Sequence, residues 1–395
     1  MNCTPQHLRS VVEEVIHLAV ETRHHIHQYP EIGHQEFATT QYIAGILADA
    51  GLEPRVRPAR TGLVVDVGAG GPIVAFRADI DALPIQEKTG LPFESQNPGL
   101  MHACGHDVHS AIAVGIAVVL SKLEALDGTA RFIFQPAEEQ FPGGAQDLID
   151  EGLLDGTDSI IAFHVDPALL AGKIGFRAGP ITASSDQFHI TVEGPGGHTA
   201  RPHLTADTVY TAGRIITELP PLLDRLIDSR VPLVVVFGSI HGGTADNVIP
   251  SKIELRGTAR TLGREVWERM PKLVDQLVHE IASPTGATVT VRYATGIAPV
   301  INDEHTISEA RFAVGQILGP HSVVATQPSM GAEDFSAYLE DIPGAMFRLG
   351  AASEGRDPVD LHSSRFDVDE RAIETGVLAG AATLMGMLSC NWVGE

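Results

Sequence analysis

The sequence is poor in cysteine and in cationic side chains. Only three of its 395 residues are cysteine, Cys3, Cys104 and Cys390. Such a small, odd number argues against a disulfide framework and favours a reducing compartment. Lys and Arg total 27 against 50 Asp and Glu, which gives a formal net charge of −23. Nucleic acids and anionic membranes are therefore disfavoured as partners, because both would repel the chain.

Long apolar segments are also missing. The longest apolar run, AIAVGIAVVL at 111–120, is about half of the roughly 20 residues that a membrane-spanning helix needs. The first twenty residues carry charges where a secretory signal would be apolar, so we expect a cytoplasmic protein. The chain is too long for one ordinary hydrophobic core, and two domains are the default expectation.

The first part of the chain alternates helical and strand patterns. Helical periodicity covers 7–29 and 39–51, and two strand-like runs around the glycines at 68–71 predict a β-hairpin over 61–79. The glycines lack the spacing of a phosphate-binding loop, and no helical pattern follows them. From 107 to 165 a helix, a strand (129–135), a helix (143–152) and a strand (159–165) follow in turn, which predicts a mainly parallel sheet flanked by helices.

A second pattern begins near residue 182. It reads as strand, helix, two strands, helix and strand, which is typical of a compact α+β unit with an antiparallel sheet. The helix–strand alternation resumes after about 295. We therefore predict an α/β domain over 1–181 and 295–395, with a βαββαβ-like domain over 182–294 inserted into it.

Metal-binding side chains are concentrated in MHACGHDVHS, residues 101–110. Cys104 and His106 flank Gly105, so a loop could bring both to one ion, and a thiolate with an imidazole suits Zn²⁺ and similar metals. Alone, this pair is weak evidence, since a buried thiol beside a surface histidine is at least as common. The case for a metal site is stronger because further candidate side chains lie at or just after the ends of predicted elements: Glu138, Glu139, His164 and His362.

Two clusters have competing interpretations. Glu138 and Glu139 are adjacent carboxylates, of which one could bind a metal while the other takes a proton from the attacking water. A solvated acidic turn is the alternative, and the position after a strand favours chemistry. The cluster His24, His25 and His27 suggests a metal site, but its helical context favours a partly exposed helix face.

Seven motifs, taken in their order along the chain, resemble those of a known family. They are MHACGHDVHS, FQPAEEQFPGGA, AFHVDP, GPGGHTARPH, GGTADNVIP, GAEDFS and DLHS. Together they resemble the dimetal amidohydrolases of the M20 peptidase family, in the subfamily of hippurate hydrolases, auxin-conjugate hydrolases and N-acetyl-diaminopimelate deacetylases. The resemblance covers nearly the whole chain, starting at HQYPEIGHQE.

The resemblance implies two divalent ions per subunit, with Zn, Mn, Co and Ni all open. It assigns five ligands and a general base: Cys104, His106, Glu139, His164 and His362 as ligands, and Glu138 as the base. RADIDALP stands where the wider family has a metal-binding histidine, and here Asp79 occupies that position. Asp81 matches the family's aspartate and is expected to support the ligands rather than bind metal.

The inserted domain has implied roles as well. In the family, the histidine matched by His198 reaches into the neighbouring subunit's site and stabilises the oxyanion, which implies a homodimer or higher oligomer. Asn247 and Arg260 resemble groups that hold the intermediate or the substrate's carboxylate, although Arg260 could equally be a surface arginine. The expected activity is amide hydrolysis of small N-acyl amino acids. A dipeptidase or exopeptidase using the same site, and a metal-binding protein without catalysis, are the alternatives.

Overall fold

The computed structural model describes residues 4–123 and 126–388. Its α-helices are α1 Pro5–Gln28, α2 Phe37–Asp49, α3 His106–Lys122, α4 Gly144–Asp150, α5 Thr208–Leu226, α6 Arg264–Ala282, α7 Glu304–Leu318 and α8 Arg371–Met387. Its strands are β1 Arg55–Val56, β2 Leu63–Gly68, β3 Ile73–Asp79, β4 Thr129–Gln135, β5 Ser159–Leu170, β6 Ile174–Phe176, β7 Gly179–Pro180, β8 Ser185–Glu193, β9 Gly197–His198, β10 Leu233–His241, β11 Val248–Ile249, β12 Lys252–Thr261, β13 Thr288–Ile297, β14 Ile301–Asn302, β15 Val323–Ala325 and β16 Gly344–Ala352.

These elements form two compact units. The first unit comprises Met1–Gly179, Ile301–Gln327 and Ala337–Glu395, and the second comprises Pro180–Val300 and Pro328–Ser336. In the first unit an eight-stranded sheet has the order β1-β2-β4-β3-β5-β16-β6-β15. Its centre, β4-β3-β5-β16, is parallel. The predicted α/β class with a mainly parallel, helix-flanked sheet is confirmed.

The predicted hairpin over 61–79 is wrong. β2 and β3 do not pair with each other, because β4 lies between them, antiparallel to β2 and parallel to β3. The glycines at 68–71 form a connection that crosses the start of β4, and a Cβ at Gly68 would lie 2.4 Å from the Gly128 carbonyl oxygen. β3 is buried along almost its whole length. A strand buried in this way is typical of the centre of a parallel sheet, with a neighbour on each side.

Helices supply the rest of the first unit's core. α3 is buried from His106 to Leu120 and packs against α1 and α8. α1 begins after the cap Thr4, whose hydroxyl accepts a hydrogen bond from the backbone N–H of His7 at 3.2 Å. Among the helices within the described residues, none combines the length and the apolar character that crossing a bilayer requires.

The second unit is built around an antiparallel sheet. Its strand order is β10-β12-β8-β13, with β10 at one edge. α5 and α6 pack on this sheet and bury a separate apolar core that includes Phe188, Leu255 and Val274. Along β10, exposed and half-buried residues alternate, and Val236 and Ile240 are exposed. The four strands of this sheet and the two helices follow the predicted βαββαβ order, and the short paired strands β9 and β11 are additional.

Candidate metal centre

The loop before α3 brings Cys104 next to His164. Gly105 adopts φ +83°, a left-handed conformation that favours glycine, and a Cβ there would lie 2.4 Å from Cγ2 of Val165. This close approach leaves the Cys104 Sγ 3.7 Å from Nε2 of His164. Two such atoms bound to one tetrahedral ion would be about 3.5 Å apart, given metal–sulfur and metal–nitrogen bonds of roughly 2.3 and 2.0 Å.

Both histidine rings, His106 and His164, are fixed through hydrogen bonds that Nδ1 donates. Nδ1 of His164 donates to the Val165 carbonyl at 2.8 Å, and Nδ1 of His106 donates to the backbone oxygen of Asp81 at 2.9 Å. Fixing the proton on Nδ1 leaves Nε2 available to a metal. Burial lowers the pKa of His164 well below its ordinary value, which keeps that ring neutral and able to coordinate.

The turn after β4 carries the paired glutamates. It begins with Ala137 at φ +52°, whose N–H donates to Oε1 of Glu36 at 2.8 Å and whose carbonyl accepts from Gly144 at 3.1 Å. The backbone N–H of Glu139 donates to Oδ2 of Asp81 at 2.9 Å. Glu138 is only 9% exposed, and its Oε2 lies 3.9 Å from Nε2 of His106. The turn therefore places the Glu138 carboxylate near the His106 ring.

His362 reaches the same cluster from the other end of the chain. Its φ is +62°, a strained value for a residue with a side chain, and its N–H donates to the Ala103 carbonyl at 2.8 Å. Nε2 of His362 lies 3.1 Å from Oε1 of Glu139. A hydrogen bond to the Glu139 carboxylate raises the pKa of His362.

The donor set fits divalent metal ions. Three overlapping groups have ligand atoms within 4.8 Å of one another: Cys104, His106 and His164; Cys104, Glu139 and His362; and His106, Glu138 and Glu139. Nε2 of His106 is buried and has no hydrogen-bond partner among the described residues. Buried polar atoms are normally paired, so such an atom within a cluster of thiol, imidazole and carboxylate is what a cation would satisfy.

Asp79 and His109 lie beside this cluster but are already paired. Nδ1 of His109 contacts Oδ1 of Asp79 at 2.6 Å, and its Nε2 accepts from the N–H of Val165 at 2.9 Å. Oδ2 of Asp79 accepts from Nη1 of Arg77 at 2.6 Å. Both ring nitrogens of His109 are therefore used, and Asp79 is held by His109 and by the Arg77 guanidinium. Neither role was foreseen from the sequence, because it depends on the register of β3, β5 and α3.

The prediction that the histidine cluster on α1 is a partly exposed face is wrong for His27. His27 is fully buried, and its two nitrogens contact Asp107 at 2.9 Å and Glu87 at 3.0 Å. Burial alone would lower the pKa of His27, but these two carboxylates outweigh it and raise the pKa to about 9. Asp107, from the same motif as the ligands, also accepts from Nε of Arg23 at 3.2 Å. Asp107 therefore anchors α3 to α1 instead of facing the cluster.

The remaining predicted residues belong to the second unit. His198 on β9 and Asn247 are exposed neighbours, since the N–H of Thr199 donates to the Asn247 carbonyl at 3.2 Å. Arg260 is half-buried on β12, and its Nη1 donates to the carbonyl oxygen of Met330 at 3.0 Å. The fold thus brings His198 and Asn247 together, although the chain separates them by nearly fifty residues.

Comparison with known proteins identifies the family. Residues 75–386 match the model of peptidase family M20/M25/M40. The chain belongs to this family. The sequence-based prediction of an M20 member, and with it a metal-dependent hydrolase, is confirmed.

Three similar proteins illustrate the breadth of the M20 family. An N-acetyl-L-cysteine deacetylase of Bacillus subtilis is 37% identical, over 89% of this chain and 83% of its own length. Thermostable carboxypeptidase 1 of Saccharolobus solfataricus is 36% identical, over 95% of this chain and 96% of its own. The crystal structure of a dinuclear metal-binding M20 peptidase from Bacillus subtilis superposes with a TM-score of 0.84 at 34% identity, covering 96% of this chain and all of the other.

One further relative is matched only in part. A protein of Rhodococcus jostii is 42% identical over 91% of this chain, yet this chain spans only 45% of that protein's length.

Proposed function

We propose that this protein hydrolyses the amide bond of small N-acyl amino acids at a site that holds two divalent cations. The observation that carries the proposal is the convergence of Cys104, His106, Glu139, His164 and His362, with the Glu138 carboxylate against the same group. A site that only stored a metal would not need the second carboxylate. The relative named as an N-acetyl-L-cysteine deacetylase supports this substrate class.

The proposed ligand atoms suit divalent cations chemically. Burial raises the pKa of the Cys104 thiol to about 12 in the absence of an ion, and coordination by a cation would displace that proton. When bound, the ions supply Lewis acidity, which lowers the pKa of a water molecule and polarises the substrate carbonyl. Zn, Mn, Co and Ni all accept this mixture of thiolate, imidazole and carboxylate.

Glu138 is the proposed proton carrier. Its carboxylate would take the proton of the attacking water and then deliver it to the departing amine. Asp81 would hold the site in shape, because its two carboxylate oxygens orient the His106 ring at 3.2 Å and the Glu139 backbone at 2.9 Å.

The second unit would supply the oxyanion and substrate contacts. We propose that His198 and Asn247 bind the oxygen that becomes negative during attack, and that Arg260 binds the carboxylate of the amino acid. In this proposal residues 182–294 act as a lid and as the dimer interface. β10 supports it, since this edge strand exposes Val236 and Ile240. The scarcity of cysteine favours a cytoplasmic location.

A hydrolysis screen with metal analysis tests the proposal. The purified protein should release amino acid from acetyl, benzoyl or indole-acetyl amino acids, lose this activity with a chelator and regain it with one of the four metals. Metal content should approach two ions per chain. Full turnover in a thoroughly demetallated sample would refute the reaction.

The same screen includes dipeptides and carboxypeptidase substrates. The relative named as a carboxypeptidase favours this second candidate, which would use the same residues. A higher kcat/KM for peptides than for every N-acyl amino acid would replace the proposed substrate class and leave the metal centre unchanged.

A further inference from the structure

A cavity of about 610 Å³ lies on the sheet of the second unit. Its lining includes the basic residues His189, Arg256 and Arg292 and the neutral polar residues Gln187, Ser239 and Thr258. No acidic residue lines it within the described part of the chain. The protein has 50 Asp and Glu residues against 27 Lys and Arg residues, so its overall charge is negative. A cavity that is lined by arginines and by no acidic residue therefore has a locally positive potential.

The basic residues form a single row across the sheet. Ser239 on β10 is directly opposite Arg256 on β12, Arg256 is opposite His189 on β8, and His189 is opposite Arg292 on β13. Directly opposed residues in antiparallel strands share a face, with Cβ atoms about 5 Å apart. Arg256 and Arg292 therefore lie on the same face of the sheet, with His189 between them.

The nearest carboxylate lies on the side of the row away from the cavity. Glu254 is two residues before Arg256 on β12, pairs with Lys252 at 2.6 Å and lies 3.9 Å from Nε2 of His189. Within residues 4–123 and 126–388, neither Arg256 nor Arg292 forms an ion pair. Both guanidinium groups are exposed. Glu254 therefore attracts Arg256 only from beyond ion-pair distance, and no carboxylate of the described residues holds either guanidinium directly.

The backbone makes room for a ligand beside the row. The register of β10 shifts between Phe237 and Ser239, and a side chain at the intervening Gly238 would have open space around it. The neighbouring row on the same face, Val236, Thr258, Gln187 and Ala294, also lines the cavity. The cavity therefore combines cationic groups with small apolar and neutral polar side chains.

We propose that this cavity binds a small organic dicarboxylate. Arg256 and Arg292 are two strand spacings apart, about 10 Å between their backbones, and each would pair with one carboxylate. The short carbon chain between the carboxylates would lie across the row that contains Val236 and Ala294. Gln187, Ser239 and Thr258 supply further hydrogen-bond donors. A ligand with one carboxylate would leave one guanidinium unpaired.

Calorimetric titration of the full chain with glutarate tests the proposal, with pentanoate as the matched monocarboxylate. Glutarate should bind saturably at one per chain, and pentanoate at least ten times more weakly. Arg256→Gln and Arg292→Gln should each weaken glutarate binding about tenfold or more. Arg269→Gln is the matched control, because it removes the same charge from an exposed position of α6 and should leave binding unchanged.

Several outcomes would overturn the inference. These are no saturable glutarate binding, equal binding of pentanoate, or an equal loss of affinity in Arg269→Gln, which would indicate a general charge effect. Unchanged binding in both cavity variants would place the anion elsewhere, for example on the cations of the metal centre. Both substitutions are at exposed positions, and circular dichroism of each variant verifies folding. The inference does not depend on the hydrolytic reaction.

Discussion

Asp81 offers a demanding test of how the metal centre is held together. It is 1% exposed, and its two carboxylate oxygens accept from different groups, Nδ1 of His106 at 3.2 Å and the N–H of Glu139 at 2.9 Å. Its backbone oxygen accepts from the same His106 nitrogen at 2.9 Å and would remain after substitution. Asp81→Ala therefore removes two side-chain hydrogen bonds. The backbone contact still keeps a proton on Nδ1 of His106.

The expected loss follows from these contacts. A hydrogen bond to a charged group contributes about 1.5–3 kcal/mol, and part of one is retained through the backbone contact. Removing groups that orient metal ligands typically weakens metal binding about 10–100-fold. We expect the Asp81→Ala variant to fall in that range, with Asp81→Asn less affected because its amide oxygen can still accept one of the two hydrogen bonds.

Competition with a chromophoric chelator measures this affinity directly. Asp147→Asn is the control, since it removes a carboxylate that pairs with Arg60 on the surface of the same unit. Circular dichroism shows whether each variant is folded. Wild-type metal affinity in folded Asp81→Ala would refute the reasoning that this carboxylate positions the ligands.

Three further perturbations test other contacts of the first unit. Because the pKa of His27 is raised to about 9, its ion pairs stabilise the fold fully below about pH 6.5 and are lost as the pH rises through 9. In urea denaturation, His27→Gln should therefore lose up to about 3 kcal/mol more stability at pH 6 than at pH 10, and an equal loss at both would contradict this. Gly105→Ala places a Cβ against Val165 and puts a residue with a side chain in a left-handed conformation, which costs about 1–2 kcal/mol. The melting temperature and the metal content should both fall, and full metal content would contradict the importance of this close approach. Since burial raises the pKa of the Cys104 thiol to about 12, calorimetry in several buffers should count about one proton fewer released on metal binding by Cys104→Ser, whereas equal counts would exclude the thiol as a ligand.

Sequence patterns predicted the helices and strands better than they predicted which strands pair with each other. The helix on α1, the βα alternation after residue 101 and the βαββαβ unit are all present. The predicted pairing of β2 with β3 was wrong because turn residues and strand periodicity report only on the local structure of the chain. Neither can show that β4, some fifty residues later, lies between them.

In the candidate site, some residues could be predicted from residue type alone. The roles of others depend on the three-dimensional arrangement. Cys104, His106 and the paired glutamates were evident because such side chains are rare in this density. The roles of Asp107, His109 and His27 were not, because each depends on which buried partner it meets. Positive φ at Ala137 and His362 has no sequence signal either, since neither is a glycine.

The most direct test is to measure metal content and turnover in the same preparation of Glu138→Gln. This change keeps the shape of the side chain and removes the carboxylate that would carry the proton. We expect the variant to bind metal in the same stoichiometry as wild type and to hydrolyse N-acyl amino acids about 10²–10⁴-fold more slowly. Turnover near the wild-type rate with full metal content would contradict the account, because the reaction would then proceed without Glu138.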